Sequence, residues 1–203
     1  MYKQKTKLFV SETQFAKLEK YAALIESNNK KFNLTAFSGN VLWKEGIFES
    51  ILTMNFIISL SNKKKNSKLK ILDIGAGVGF PSIPFLIANS NIELTISESM
   101  QKRCWFLKDI SEKLDIRFNL VCKPVQEISN KNFDIITARA VANLEKLDKI
   151  TKKIQSPETF LAFIKGPKIF DETKKCRNCN YKIFELDNDL NKTIFVATKK
   201  INL

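Results

Sequence analysis

The chain has 203 residues, 44% of them hydrophobic and 27% charged, which is the composition of an ordinary globular protein with room for one main domain and a small extension. Its 34 basic and 21 acidic residues give a net charge of +13, which suits a polyanionic partner such as RNA, although lysine-favouring codon bias would produce the same excess. The chain contains no histidine, and this excludes Ser-His-Asp hydrolysis, Cys-His proteolysis and histidine-ligated metal sites.

No apolar run reaches the roughly 18 residues of a membrane-spanning helix. The first ten residues are basic but lack the apolar core of a signal peptide. We therefore expect a cytoplasmic protein.

The four cysteines do not predict a metal site. Cys176 and Cys179 have the spacing of a zinc knuckle. A structural zinc site needs four ligands, however, and Cys104 and Cys122 fall on other predicted elements. We interpret the pair as a chance occurrence.

Two helices are predicted in an N-terminal extension that covers residues 1–60. The first helix covers 11–27, where Ser11 and Gln14 form a capping box, and the second covers 41–60. Both carry apolar residues at helical spacing.

The run 61–68 has no periodicity and no apolar residue, so it predicts a linker before a main domain at 69–203. In that domain strands alternate with helices, a pattern that predicts a doubly wound, mostly parallel seven-stranded sheet of the α/β class. The last two strands are joined by a short polar loop and should form an antiparallel hairpin. The predicted strands are 70–74, 93–97, 118–122, 133–138, 160–164, 182–186 and 193–198, and the predicted helices between them are 81–89, 100–114 and 143–155.

The first predicted strand runs into a glycine loop, DIGAGVGFP at 73–81, with glycines at every second position. Glycine lets the backbone turn sharply and approach a ligand closely. A dinucleotide site would need a small residue where Phe80 stands, and a phosphate-binding P-loop would need a Lys-Ser/Thr pair after the glycines. The spacing is instead typical of a methyltransferase that binds S-adenosylmethionine.

Glu98 is predicted to lie where the second strand ends, 23 residues after Gly75. A carboxylate there can accept hydrogen bonds from both ribose hydroxyls of a nucleoside. Together with the glycine loop it predicts a site for S-adenosylmethionine.

The chain resembles the bacterial 16S rRNA (guanine-N7) methyltransferases, the family of glucose-inhibited division protein B. The fold that this implies is the Rossmann-like class I fold of S-adenosylmethionine-dependent methyltransferases. The matching pieces are Asn33-Leu34-Thr35, DIGAGVGFPSIP (73–84), Glu98-Ser99, Lys102-Arg103, Phe106-Leu107, Phe133-Asp134, Ala138-Arg139-Ala140 and Ile164-Lys165-Gly166.

The resemblance implies a reaction, a partner and a set of site residues. The enzyme would methylate N7 of a guanine in 16S rRNA or in a small-subunit ribosomal particle, as a monomer without membrane association. Cofactor contacts are implied at Gly75, Gly77, Phe80 and Glu98, with Val125 and Gln126 near the adenine and Arg139 beside both cofactor and target base.

Three positions depart from the family pattern. Gln126 stands where an acidic residue is usual, Ser82 replaces a glycine, and Gly46 replaces a histidine of the second N-terminal helix. The reaction does not require that histidine, because guanine N7 carries a lone pair and no proton. The enzyme mainly has to hold N7 in line with an activated methyl group.

Arg139 follows an apolar strand and has two candidate roles. Its guanidinium could hold the carboxylate of the cofactor in a two-pronged hydrogen bond, or it could bind guanine O6. A positive charge near the sulfonium is unfavourable unless a carboxylate pairs with it, which favours the first role. We expect little effect of this residue on stability.

The roles of several other residues stay open. Lys102 and Arg103 face either RNA phosphates or solvent, and we interpret Trp43 and Trp105 as packing residues rather than base-stacking platforms. The alternative functions are a methyltransferase for a small molecule or a protein, and a non-catalytic RNA-binding ribosome assembly factor. A nicotinamide dehydrogenase is disfavoured by Phe80.

Overall fold

A computed structural model describes residues 1–63, 68–129, 132–176, 180–186 and 193–200. The strands are β1 Leu69–Ile74, β2 Ile92–Ser97, β3 Asn119–Val121, β4 Ile135–Arg139, β5 Phe160–Lys165, β6 Lys182–Leu186 and β7 Ile194–Lys200. The α-helices are α1 Tyr2–Lys7, α2 Glu12–Phe32, α3 Gly39–Val41, α4 Glu49–Ser61, α5 Ser82–Ala88, α6 Gln101–Lys113, α7 Leu144–Thr151 and α8 Ile169–Lys175; a π-helical segment, Leu42–Phe48, joins α3 to α4.

The seven strands form one sheet in the order β3-β2-β1-β4-β5-β7-β6. Strands β1 to β5 pair in parallel, whereas β7 runs antiparallel to both β5 and β6. The predicted doubly wound α/β sheet and its antiparallel C-terminal hairpin are therefore confirmed. Strand order reverses at β1, whose neighbours are β2 and β4, and ligands of such sheets bind at the carboxyl ends of strands at this point.

The N-terminal helices differ from the prediction in length and form. The capping box of Ser11 and Gln14 is present, but α2 continues to Phe32 because the polar stretch after residue 27 contains no helix breaker. The helix ends at Asn33, which adopts the left-handed conformation. The second predicted helix is interrupted by the π-helical segment, and α1 was not predicted.

The sheet is covered on both faces, and alternate residues of the central strands β1, β4 and β5 pack into two separate cores. Ile71 packs with the N-terminal helices, α5 and α6, while Leu72 packs with α7 and α8. The N-terminal helices thus share one core with the sheet. None of the described helices is long and apolar enough to cross a membrane.

Candidate active site

The glycine loop follows β1 at the reversal of strand order. Gly75 and Gly77 have φ values of +65° and +64°, a region that other residues rarely adopt. A Cβ on Gly75 would lie 2.9 Å from Cγ2 of Val141, so that glycine also permits a close approach of the loop after β4. A Cβ on Gly77 would have the Arg103 guanidinium as its nearest neighbour, at 3.9 Å, so there is open space beside this part of the loop.

Glu98 lies directly beside this loop. Its carboxylate is 3% exposed, accepts a hydrogen bond from the Gly77 amide at 3.0 Å, and accepts a second from the Met100 amide at 2.9 Å. Arg103 Nη1 lies 3.8 Å from Glu98 Oε2. The structure therefore brings together the two features, glycine loop and carboxylate, that predicted a nucleoside-binding site.

Asp73 is a buried carboxylate that the sequence argument did not assign to the site. It is fully buried on β1, and neither carboxylate oxygen has a hydrogen bond of normal geometry to any described residue. Burial raises the pKa of Asp73 from 3.8 to about 7; Glu98 adds to the rise, and the polar groups of Ser82 and the charge of Arg139 oppose it. A cationic ligand group near Asp73 would stabilise its charged form.

The other predicted cofactor residues, Val125, Gln126 and Phe80, differ in burial and in what surrounds them. Val125 is buried in a 3₁₀ turn after β3, and its neighbour Gln126 is exposed at the same edge of the sheet. The Phe80 ring packs between Tyr21 and Phe37, at centroid distances of 6.0 and 5.9 Å, so it belongs to the core under the N-terminal helices. A cofactor contact at this position would come from the backbone.

Arg139 lies at the carboxyl end of β4, and residues of the N-terminal helices bind its guanidinium. Its Nη2 lies 2.9 Å from Glu49 Oε1, and its Nη1 donates to the carbonyl of Glu45 at 2.9 Å. The guanidinium also lies 5.7 Å from the centre of the Phe37 ring. Because Glu49 already compensates the charge, the argument that favoured a bond to the cofactor carboxylate no longer applies.

Arg139 lines a cavity of about 690 Å³ at the ends of β4 and β5. The cavity is bordered by Phe37, Glu45 and Glu49 on one side and by Lys165, Gly166 and Glu172 on the other. Lys165 Nζ is paired with Glu172 at 2.7 Å and donates to the Ala142 carbonyl at 2.7 Å. This cavity and the Glu98 side of the glycine loop lie on opposite sides of β1.

Sequence reasoning missed Asp73, Glu49 and Lys165 as candidate site residues. Asp73 is the next-to-last residue of β1, Lys165 is the last residue of β5, and both belong to motifs named above. A charged residue at the carboxyl end of an apolar strand is a signal that could have identified them. Glu49 carries no local signal, because only the packing of α4 against the sheet brings it to Arg139. Cys179 lies outside the described residues, and the described part of the chain contains no cluster of three potential metal ligands.

Solved structures show the same fold. A SAM-dependent methyltransferase from Aquifex aeolicus matches with a TM-score of 0.55 and 14% sequence identity, over 75% of this chain and 91% of that one. At this identity the match supports the fold alone. It agrees with the methyltransferase fold expected from the glycine loop.

Sequence comparisons identify the family. The model of rRNA small subunit methyltransferase G matches residues 14–194. A protein named ribosomal RNA small subunit methyltransferase G from Mesomycoplasma hyopneumoniae strain 232 is 70% identical over 202 residues, covering 100% of both chains. One of the same name from Mycoplasma mobile is 40% identical over 91% of this chain and 83% of its own.

These matches confirm the resemblance, the enzyme class and S-adenosylmethionine as the cofactor of the family, and they do not favour the alternative functions. The chain belongs to the rRNA small subunit methyltransferase G family.

Proposed function

We propose that the protein transfers a methyl group from S-adenosylmethionine to N7 of a guanine in 16S rRNA. The substrate would be the RNA or an assembling small-subunit particle in the cytoplasm, and the enzyme would act as a monomer. The observation that carries the proposal is the pairing of two adjacent sites at the strand-order reversal: the loop bound to Glu98, and the cavity lined by Arg139.

The residues beside the glycine loop fit the cofactor. The buried carboxylate of Glu98 beside the loop supports its role as the acceptor for the ribose hydroxyls, and we assign Val125 and Gln126, in the turn after β3, to the adenine. The carboxylate of Asp73 is buried and has no hydrogen-bonded partner among the described residues. It could therefore pair with a positively charged group of the cofactor. S-adenosylmethionine, when bound, supplies a methyl group activated by a positively charged sulfur.

The residues of the cavity fit an acceptor that needs orientation and no proton removal. Three carboxylates line the cavity, and two of them, Glu49 and Glu172, are in ion pairs with Arg139 and Lys165, so neither of these two is poised as a general base. The guanidinium of Arg139 is a cation with further N–H donors for guanine O6. We infer that it orients the base so that N7 faces the methyl donor.

The test is to incubate the protein with radiolabelled S-adenosylmethionine and small-subunit particles or total RNA from cells that lack the activity. N7-methylguanine makes RNA sensitive to borohydride and aniline, so the methylated base can be mapped by chain scission. We expect label at a single guanine of 16S rRNA. Label on exocyclic nitrogens, ribose or protein would falsify the assignment.

A further inference from the structure

Two exposed aromatic rings lie side by side next to the proposed cofactor site. Phe32 at the end of α2 is 39% exposed, and Trp105 on α6 is 49% exposed. Their ring centres are 5.2 Å apart. The packing role expected for Trp105 therefore accounts for only part of its surface, and the other part faces solvent.

The position of this pair connects it to the site. Helix α6 starts just after Glu98, and Arg103, within its first turn, approaches the Glu98 carboxylate. Lys102 Nζ donates to the carbonyl of Phe32 at 3.0 Å, which holds the end of α2 against the start of α6. The aromatic pair thus lies on the helix end that faces the carboxyl edge of the sheet, where both proposed sites open.

The exposed charges within one helical turn of the rings are mostly basic. Lys30 and Lys31 are exposed in the last turn of α2, and Lys102 and Lys108 are exposed one turn before and after Trp105. The carboxylate of Asp109 on the same helix is paired with Lys113 at 2.8 Å. An exposed aromatic face among cations matches single-stranded nucleic acid, whose bases stack on the rings while its phosphates meet the lysines.

We propose that Phe32, Trp105 and the surrounding lysines form a docking platform for a single-stranded segment of the RNA substrate. A base of that segment stacks on Trp105, and phosphates beside it are neutralised by Lys30, Lys31 and Lys108. This proposal rests on the proposed function, because it assigns a surface to the RNA of that reaction. The platform binds RNA and takes no part in methyl transfer.

The chain offers a direct probe, because it has only two tryptophans. Trp43 packs on Phe15 in the first turn of α2, at the opposite end of that helix from Phe32. Trp43→Phe leaves Trp105 as the single fluorophore, and Trp105→Phe leaves Trp43. Titration with a 16S rRNA fragment should quench the fluorescence of the first variant and leave that of the second nearly unchanged.

Binding measurements supply the second arm. Trp105→Ala should weaken RNA binding about ten-fold, within the range measured for loss of one stacked base. The double variant Lys30→Ala/Lys31→Ala should reduce the slope of log affinity against log salt by about 1.4, at roughly 0.7 for each phosphate on a single strand. The matched control Lys152→Ala/Lys153→Ala removes two exposed lysines from the short turn after α7, which packs on the opposite face of the sheet. It should change the slope much less.

The outcomes separate this proposal from the proposed function. In Trp105→Ala the KM for RNA should rise about ten-fold with the loss of RNA affinity, whereas calorimetric binding of S-adenosylmethionine should be unchanged. If that variant binds RNA as tightly as wild type while wild type methylates guanine N7, the platform is wrong and the function stands. The platform is also wrong if Trp105→Ala loses affinity only for particles that carry ribosomal proteins. If wild-type protein methylates no RNA, the function fails, and quenching of Trp105 alone would then show whether the platform still binds RNA.

Discussion

Arg139 and Glu49 form a buried ion pair, with 2.9 Å between Nη2 and Oε1 and side chains 12% and 3% exposed. The pair joins the end of β4 to the start of α4, so it connects the sheet to the N-terminal helices. This geometry changes the expectation that Arg139 matters little for stability. The residue that we propose to orient the substrate is thus held in place by a buried carboxylate.

We predict that Arg139→Ala lowers the free energy of unfolding by about 3 kcal/mol, because it leaves the Glu49 carboxylate buried without its cation. Turnover should fall by at least ~10²-fold through loss of positioning. Urea denaturation and single-turnover methylation measure the two effects. The double variant Arg139→Met/Glu49→Leu should recover most of the stability and none of the turnover. Recovery of both would mean that Arg139 acts only through the fold.

Glu98→Ala should weaken cofactor binding by about 1–3 kcal/mol, because it removes the expected ribose acceptor and leaves the amides of Gly77 and Met100 without their partner. Isothermal calorimetry with S-adenosylmethionine and its demethylated product measures the loss. Glu93→Gln, an exposed change on β2, the strand that precedes Glu98, is the matched control and should bind as wild type. Equal affinity of Glu98→Ala and Glu93→Gln would remove Glu98 from the site.

Asp73 predicts a dependence of stability on pH. Its pKa is about 7 in the folded protein and 3.8 ordinarily, so between these values the folded state holds a proton that the unfolded chain has released. The contribution of Asp73 to the free energy of unfolding is therefore largest below pH 4. It falls by about 4 kcal/mol as the pH rises to 7, at 1.36 kcal/mol per pH unit.

The comparison of wild type with Asp73→Asn isolates this effect, and the absence of histidine leaves few other groups that titrate in the range. Urea denaturation should show that the variant gains stability over wild type as the pH rises from 5 to 8. The same variant should bind S-adenosylmethionine more weakly at pH 8. A difference in stability that does not change with pH would contradict the raised pKa.

Gly46 is a position where the packing of one ring dictates the residue. A Cβ there would lie 2.7 Å from Cζ of Phe80, so Gly46→Ala forces the ring to move. Replacing a helical glycine by alanine in open space usually stabilises by about 0.4–1 kcal/mol; here we expect a loss of about 1–3 kcal/mol from overpacking.

Thermal unfolding of two further variants checks this prediction. Phe80→Leu in the Gly46→Ala background should recover part of the loss, because the smaller side chain makes room for the new methyl group. Gly166→Ala, where nothing lies within 4 Å of a built Cβ, should leave the stability nearly unchanged. A Gly46→Ala protein as stable as wild type would contradict the predicted loss, because the shift of Phe80 would then cost no more than the roughly 0.4–1 kcal/mol that alanine gains.

Local residue patterns predicted the seven strands in chain order, the class of sheet and the glycine loop, but they did not predict the short helices α1 and α8. Strand alternation, the capping box of Ser11 and the glycine spacing act over a few residues, so they can be read without a structure. Glu98 could be assigned because the carboxyl ends of adjacent parallel strands meet at one edge, a consequence of topology alone.

Only the tertiary structure placed Glu49 against Arg139, turned the Phe80 ring into the core, and left Trp105 exposed beside Phe32. These relationships join residues 59 to 90 positions apart in the chain, and no local pattern specifies how the helices pack against the sheet to bring them together. The burial of Asp73 without a hydrogen-bonded partner among the described residues is of the same kind. The pKa of a carboxyl depends on the solvent and charges that the whole fold leaves around it, so its sequence position alone could not reveal it.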